Sequence, residues 1–185
     1  MSGCGCGSDQ ADMFERKTLL TLLTINGLMF VVEFAMGVVA QSAGLIADSL
    51  DMLADAAVYA ISLAAVGKVV TKQASAARIS GYLQILLGLA VLLEVGRRIV
   101  FGSEPESLLM MVTAAVALFA NLVCLKLISK HRDGGVHIRA SWIFSANDVI
   151  ANIGVIVAGC LVYLTGSFIP DLIIGVLISI VVVRG

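Results

Sequence analysis

Six apolar stretches dominate this chain, and each is long enough, or nearly so, to cross the hydrocarbon core of a bilayer. Crossing a core of ~30 Å takes roughly 20 helical residues. We predict spans at 18–40, 45–67, 79–101, 107–129, 140–164 and 169–183. Hydrophobic residues make up 59% of the chain, above the ~45–50% that is typical of soluble domains. The sequence therefore predicts an all-α membrane protein with six transmembrane helices.

The 12 Lys and Arg residues are distributed unevenly across this topology. If both chain ends lie on one side, only Arg97 and Arg98 fall on the other. The basic residues on the side of the termini are Arg16, Lys17, Lys68, Lys72, Arg78, Lys126, Lys130, Arg132, Arg139 and Arg184. Because cytoplasmic loops carry the excess of basic residues, we predict cytoplasmic termini and a multi-pass protein of the cell membrane. Residues 1–17 form a predicted cytosolic tail, and 18–185 a predicted six-helix transmembrane domain with no C-terminal soluble domain.

The second span carries three carboxylates, Asp48, Asp51 and Asp55. On a helix of ~3.6 residues per turn they fall within roughly 60° of one another, so they share one face. A charge at the bilayer centre costs ~2.5–3.5 kcal/mol even on the lenient insertion scales. A cluster of aligned carboxylates in an otherwise apolar helix therefore predicts that this face binds a cation.

The fifth span is also polar on one side, where Ser145, Asp148 and Asn152 share a face and Asn147 lies beside them. A single carboxylate that faces lipid is expensive, so Asp148 is expected to point into the protein. A lone asparagine such as Asn121 in the fourth span predicts an interhelical hydrogen bond instead.

In the first span, Asn26 and Glu33 are seven residues apart and stack on one face. We predict that both, together with Asp48, lie along an ion pathway. For Glu33 a second interpretation stays open, in which its carboxylate is the buried partner of a basic side chain.

Helix geometry gives the depth of the acidic residues. Asp55 lies about 15 Å in from the outer face, and Asp148 about 12 Å in from the inner face, at 1.5 Å per residue. In a core of ~30 Å these two carboxylates reach similar depth, with Asp51 one turn further out. If the second and fifth helices pack together, three carboxylates converge near the middle of the membrane.

Three carboxylates with an amide or hydroxyl would form a compact, oxygen-rich site. Such a site suits zinc, cadmium, cobalt, manganese or iron as divalent ions, whereas calcium prefers about six to eight oxygens. When the site holds no metal, the carboxylates repel each other in a low dielectric and are expected to hold protons. Metal binding would expel those protons, which predicts exchange of metal for protons.

Two segments resemble a known family. Residues 47–56 (ADSLDMLADA) resemble the second-helix signature of cation diffusion facilitator transporters, A-D-x-x-H-M-L-x-D-A, and its two ligand positions fall on Asp51 and Asp55. Residues 147–156 (NDVIANIGVI) resemble the fifth-helix signature, whose ligand aspartate falls on Asp148. The resemblance implies an exporter of divalent metal cations, most of all zinc, with protons as counter-ion. It also implies a homodimer formed through transmembrane helices, and no enzymatic activity.

Two departures from the family pattern concern the site and the chain end. The fifth-helix histidine of the family falls on Phe144, which cannot ligate a metal. The fourth ligand is therefore open, with Asn147 the first choice, Ser145 or water behind it, and Asn152 also possible. The cytosolic metal-binding domain that usually follows the sixth helix is missing from this sequence, so we expect a minimal transporter.

Four further residues could capture metal on the cytosolic side. Cys4 and Cys6 form a Cys-x-Cys pair in the tail, and His131 and His137 lie in the loop before the fifth span. Reduced thiols and imidazoles bind zinc or cadmium. The alternative is a tail and a loop without a specific role.

Other classes of membrane protein fit less well. An intramembrane aspartyl protease would carry Tyr-Asp and Gly-x-Gly-Asp motifs, and this sequence contains neither. An exporter of organic cations would favour an aromatic pocket, yet aromatic residues make up 6% of the chain. A proton-coupled exporter of another small cation remains the alternative. The expected partners are the bilayer and divalent metal ions, and no nucleic acid.

We predict that Phe144→His restores the more common ligand set and tightens zinc binding relative to cobalt or cadmium, because imidazole is a good zinc ligand. Calorimetric titration of the purified variant with each metal measures this. Unchanged affinity and selectivity would mean that residue 144 does not face the site.

Overall fold

The computed structural model describes residues 6–65, 70–129 and 136–184, and side chains within 16–61, 63–64, 81–129, 142–143 and 145–181. Every regular element in this part of the chain is a helix. The helices are α1 (Cys6–Val39), α2 (Ala43–Ala65), α3 (Val70–Phe101), α4 (Ser107–Ser129), α5 (Val136–Thr165) and α6 (Ile169–Arg184). The prediction of an all-α membrane protein built from six helices is confirmed.

Three helices are longer than the apolar spans predicted for them. α1, α3 and α5 begin 12, 9 and 4 residues before the predicted starts at 18, 79 and 140. All three extensions lie at the end of the bundle predicted to face the cytoplasm. Hydropathy detects only the part of a helix that lies in lipid, whereas backbone hydrogen bonding continues until a breaker ends it. The predicted tail at 1–17 is therefore helical from Cys6 onward.

The outer surface of the bundle is apolar, as a lipid environment requires. Among the described residues, Arg16–Val39, Ser107–Ser129 and Ser145–Thr165 are long and apolar enough to cross a membrane, and Ile169–Val181 is a shorter apolar helix. The most exposed large side chains include Leu28, Tyr82, Leu93, Val100, Phe119, Ile150, Tyr163 and Leu164. The acidic residues of α2 face away from this surface, because all three are buried.

α2 is the central helix of the bundle and contacts each of the other five helices. Every residue from 42 to 49 is buried. Small side chains such as Ala43 and Ala47 let the neighbouring helices approach closely. The core around them includes Leu45, Val91, Val95, Met110, Ala114, Val155, Ala158, Leu172 and Ile178. This position explains why the carboxylates of α2 are withdrawn from lipid.

Two glycines allow α2 and α6 to pack at short range. A Cβ atom on Gly44 would lie 2.7 Å from Cγ2 of Ile174 and 3.0 Å from Oδ1 of Asp171. On the facing helix, a Cβ atom on Gly175 would lie 3.2 Å from the carbonyl carbon and oxygen of Ala43. Larger residues at either position would push the two helices apart.

The buried Asp171 side chain, from the first turn of α6, caps the start of α2. The hydroxyl of Ser42 donates to its Oδ1 at 2.6 Å, and the backbone N–H groups of Ala43 and Gly44 donate to its two oxygens at 2.6 and 2.9 Å. The first N–H groups of a helix lack partners within the helix, and the helix dipole favours a negative charge there. One carboxylate thus satisfies three donors that lipid could not.

The turn between α1 and α2 is held by the end of α3. Gln41 has a φ of 50°, a left-handed conformation that is uncommon outside glycine. Its carbonyl oxygen accepts hydrogen bonds from the guanidinium of buried Arg98 and, at 2.9 Å, from the hydroxyl of Ser103. Arg98 is in turn bound by Glu94 at 2.7 Å. These contacts fix where α2 begins.

We predict that Asp171→Ala destabilises the folded protein by about 1–3 kcal/mol, because it leaves buried donors without an acceptor. Thermal unfolding in detergent measures the loss. Glu106→Ala is the matched control, since Glu106 caps α4 through the N–H of Leu109 at 3.0 Å but is exposed to solvent. The control should cost no more than about 1 kcal/mol. Equal losses in the two variants would show that burial of the Asp171 cap has no special effect.

Candidate functional site

The carboxylates of Asp48, Asp51 and Asp55 lie on the buried face of α2. Their spacing places them along one side of the helix, as the sequence predicts. Each carboxylate lies close enough to the next for their charges to interact, Asp48 with Asp51 and Asp51 with Asp55. In a low dielectric this repulsion is strong unless a cation or a proton compensates it.

α5 brings a fourth carboxylate to the same region. Asp148 is buried, and its charge interacts most strongly with Asp55, then with Asp51 and Asp48. Among the described residues its Oδ2 atom has no hydrogen-bond partner. The structure therefore brings Asp51, Asp55 and Asp148 together from two packed helices. Their assignment as metal ligands stays a prediction.

One turn along α2 from Asp55, the Tyr59 side chain closes the region on one side. Its hydroxyl donates to Oδ2 of Asp55 at 3.4 Å and lies near the side chain of Ser145 on α5. Tyr59 and Ser145 are both buried, and among the described residues the Ser145 hydroxyl oxygen has no hydrogen-bond partner. Tyr59 thus lies where the acidic faces of α2 and α5 meet.

Asp48 is held by a chain of amides that crosses the bundle. Asn121 on α4 donates from Nδ2 to Oδ1 of Asn152 at 3.0 Å, and Asn152 donates from Nδ2 to Oδ2 of Asp48. The interhelical hydrogen bond predicted for Asn121 is confirmed. Both ends of the Asn152 amide are engaged, so Asn152 is less suited to be the open fourth ligand.

The first helix contributes Glu33 and Asn26, both buried. The Glu33 carboxyl lies within hydrogen-bonding range of Asp48, so its neighbour is a second acid rather than a basic side chain. Asn26 donates to the carbonyl of Leu22 in its own helix at 3.0 Å, and its side-chain oxygen lacks a partner. Glu33 therefore belongs to the polar interior that the acidic face of α2 lines.

The remaining candidates are less well defined. Asn147 is half-buried on α5 beside Asp148. Cys4 and His131 lie outside the described residues, as do the side chains of Cys6, His137 and Phe144. The proposals of cytosolic metal capture and of the role of residue 144 thus stay predictions.

Sequence reasoning did not select Tyr59 or Cys124. Tyr59 follows Asp55 by one helical turn, and this spacing is a signal that could have identified it. Cys124 lies buried beside Leu22 and Ile128. Its thiol is also close enough to Asp148 and Asp55 for electrostatic interaction, which a helix-by-helix analysis could not detect.

The acidic groups lie near one another but are not arranged as the ligands of a bound metal ion. Among the residues that the structure describes, no three Asp, Glu, His or Cys side chains are spaced as ligands of one metal ion. Chemically, the region offers several carboxylate oxygens, one phenol and amides, all shielded from lipid. Small movements of α2 against α5 would change how many oxygens can meet at one point.

Comparison with known proteins agrees with the sequence motifs. The family model of the cation efflux transmembrane domain matches residues 19–184. The metal cation efflux system protein CzcD of Cupriavidus metallidurans is 28% identical over 191 residues, which cover 96% of this chain and 60% of that protein. The cation efflux system protein CzcD of Alcaligenes sp. gives the same values.

The chain thus spans 60% of the length of the curated relatives it matches. The shared part is the transmembrane domain, in which the acidic residues of α2 and α5 lie. The resemblance to cation diffusion facilitators is confirmed, because the family model covers nearly the whole chain. This chain belongs to the cation efflux family.

Proposed function

We propose that this protein exports a divalent metal cation, zinc above all, in exchange for protons, and that Asp51, Asp55 and Asp148 bind the cation. The observation that carries the proposal is the placement of these three carboxylates on packed helices, buried and close enough to repel one another. Such an arrangement is costly inside a membrane unless it binds cations. Family membership supports the same function.

The ligand chemistry favours a small divalent ion. Carboxylate oxygens from α2 and α5 would supply three ligands at about 2.0–2.2 Å from zinc. The fourth ligand would be Asn147, Ser145 or water, and of these Ser145 is buried in the region where α2 faces α5. Cadmium, cobalt, manganese and iron fit the same donors, so an oxygen-only site would be less selective for zinc than one with imidazole.

Charge balance provides the coupling to protons. With no metal bound, several carboxylates this close together cannot all remain ionised in a low dielectric, so protons replace the metal. Metal binding requires ionised ligands and releases those protons. A site that alternates between metal and protons, and that opens to each side in turn, produces antiport.

Alternating access would move α2 and α5 relative to the rest of the bundle. The start of α2 is tied to α6 by Asp171, and the turn before it is tied to α3 by Arg98. We infer that these contacts either move with α2 as a unit or exchange during the cycle. Location in the cell membrane stays a prediction from the distribution of basic residues, and a homodimer formed through transmembrane helices stays a prediction from the family resemblance.

We predict that Asp55→Ala reduces zinc transport in proteoliposomes to the level of empty vesicles and weakens zinc binding by more than about 100-fold, since even outer-shell partners are worth about 10–100-fold. Ser179→Ala is the control, because it removes a buried hydroxyl of α6 that donates within its own helix, to the carbonyl of Val176. The control should transport normally. Near-normal transport by Asp55→Ala at equal protein level would remove Asp55 from the site.

We predict that zinc uptake into vesicles rises as the lumen is made more acidic than the medium, because protons leave in exchange for zinc. The measurement fixes the zinc gradient, varies the pH gradient and clamps the membrane potential. Calorimetry in buffers of different ionisation enthalpy should also detect protons released on zinc binding. Zinc uptake that does not depend on the pH gradient, with no proton release on zinc binding, would indicate a uniporter.

A second outcome would favour the alternative function. If the protein exchanges protons for a different small cation and does not transport divalent metals, it is a proton-coupled exporter of that cation.

A further inference from the structure

Glu33 and Asp48 form a pair of acids between α1 and α2, separate from the three proposed ligands. Both side chains are fully buried, and their carboxyl groups lie within hydrogen-bonding range of each other. Two ionised carboxylates cannot hydrogen-bond, since neither has a donor. With both ionised, the two oxygens of Glu33 and Oδ1 of Asp48 are buried without a partner. One proton placed between them would give each acid a partner.

The amide chain from α4 and α5 indicates which acid holds that proton. Asn152 presents an N–H group to Oδ2 of Asp48, and Asn121 orients Asn152 by donating to its carbonyl oxygen. A donor at Oδ2 stabilises the ionised form of Asp48. Among the described residues no donor reaches the Glu33 oxygens, so Glu33 is the acid that carries the proton and donates it to Oδ1 of Asp48.

The geometry of the pair fits a proton better than a metal ion. The two carboxyl groups supply at most four oxygens, fewer than the about six to eight that calcium takes, and Oδ2 of Asp48 already accepts a hydrogen bond from Asn152. The nearest further unpartnered acceptor on the same face of α1 is the side-chain oxygen of Asn26, two helical turns nearer the N-terminus. A proton on Glu33 is therefore the simplest occupant that gives the two acids a hydrogen bond to each other.

We propose that Glu33, paired with Asp48, is a binding site for one further counter-ion proton, distinct from the site of the transported metal. This inference rests on the proposed function and adds a residue from α1 to it. The proton is taken up at Glu33 when the metal has left and is given up when metal arrives.

Electrostatics would couple the two sites. α1 packs against α2 and α4. On α2, Asp48 lies next to Glu33, and the charge of Asp51 interacts with that of Asp48. On α5, the charge of Asp148 interacts with that of Glu33. The described residues of α4 add the neutral Asn121 amide and the Cys124 thiol to this interior. A divalent cation on Asp51 and Asp148 would repel the Glu33 proton, so one site would empty as the other fills.

Glu33→Gln tests the proposal, because the amide keeps the shape and neutrality of the protonated acid but cannot release a proton. We expect this variant to bind zinc with near wild-type affinity, to release fewer protons per zinc bound, and to transport zinc with a weaker dependence on the pH gradient than the wild type. Glu104→Gln, which neutralises an exposed acid of the α3–α4 loop, is the control and should remain coupled. Full coupling in Glu33→Gln would overturn the proposal.

The outcome also separates this proposal from the proposed function. Suppose that Asp55→Ala loses zinc binding while zinc transport by Glu33→Gln still depends fully on the pH gradient. This result would support the proposed metal site and exclude Glu33 as a proton-binding residue. Normal zinc transport in Asp55→Ala would instead refute the proposed metal site, whatever Glu33→Gln does.

Labelling of the wild-type protein gives a test that does not depend on the folding of a variant. Dicyclohexylcarbodiimide reacts with protonated carboxyl groups in apolar surroundings, and mass spectrometry locates the adduct. We expect labelling of Glu33 that declines as zinc is added or as the pH is raised. A lack of adduct on Glu33 at low pH would overturn the proposal. Protection by sodium at constant pH would also overturn it, since an alkali cation would then be the occupant.

Discussion

The burial of acidic side chains inside a membrane domain is the constraint on which the rest of this structure depends. Asp48, Asp51, Asp55 and Asp148 are all withdrawn from lipid, although each charge is unfavourable there by at least ~2.5–3.5 kcal/mol. The bundle reduces this penalty by placing α2 at its centre, in contact with every other helix. Amides, a phenol and other acids then surround the carboxylates. The part of the penalty that these neighbours do not offset must be offset by bound cations or protons. This requirement is the basis of the function we propose.

Polar contacts at one end of the bundle keep α2 in this position. Asp171 satisfies the first donors of α2 from the neighbouring α6, and Arg98 binds the strained Gln41 turn from α3. Small residues along α2 bring the backbones close, which fixes the register of its acidic face. The same contacts that stabilise the fold therefore determine which carboxylates can meet. A transport cycle must preserve or exchange them as α2 moves.

Much of this architecture follows from periodicity and hydropathy. The bounds of α4 were predicted to the residue, and the shared face of Asp51 and Asp55 follows from helix geometry alone. The early start of α1 at Cys6 was missed, because hydropathy does not register a helix that leaves the lipid. The Glu33–Asp48 pair and the approach of Cys124 to Asp148 depend on how separate helices rotate against each other. Residue spacing shows which side chains share a face of one helix, but it does not show how that helix is rotated against its neighbours.

The most direct test of the account is X-ray absorption spectroscopy of zinc bound to the wild-type protein. A site built from Asp51, Asp55 and Asp148 predicts a first shell of oxygen atoms at about 2.0–2.2 Å, without the scattering pattern of imidazole. A sulfur shell at about 2.3 Å would contradict it and implicate a thiol such as Cys124. Clear imidazole scattering would also contradict it, since α2 and the described side chains of α5 carry no histidine.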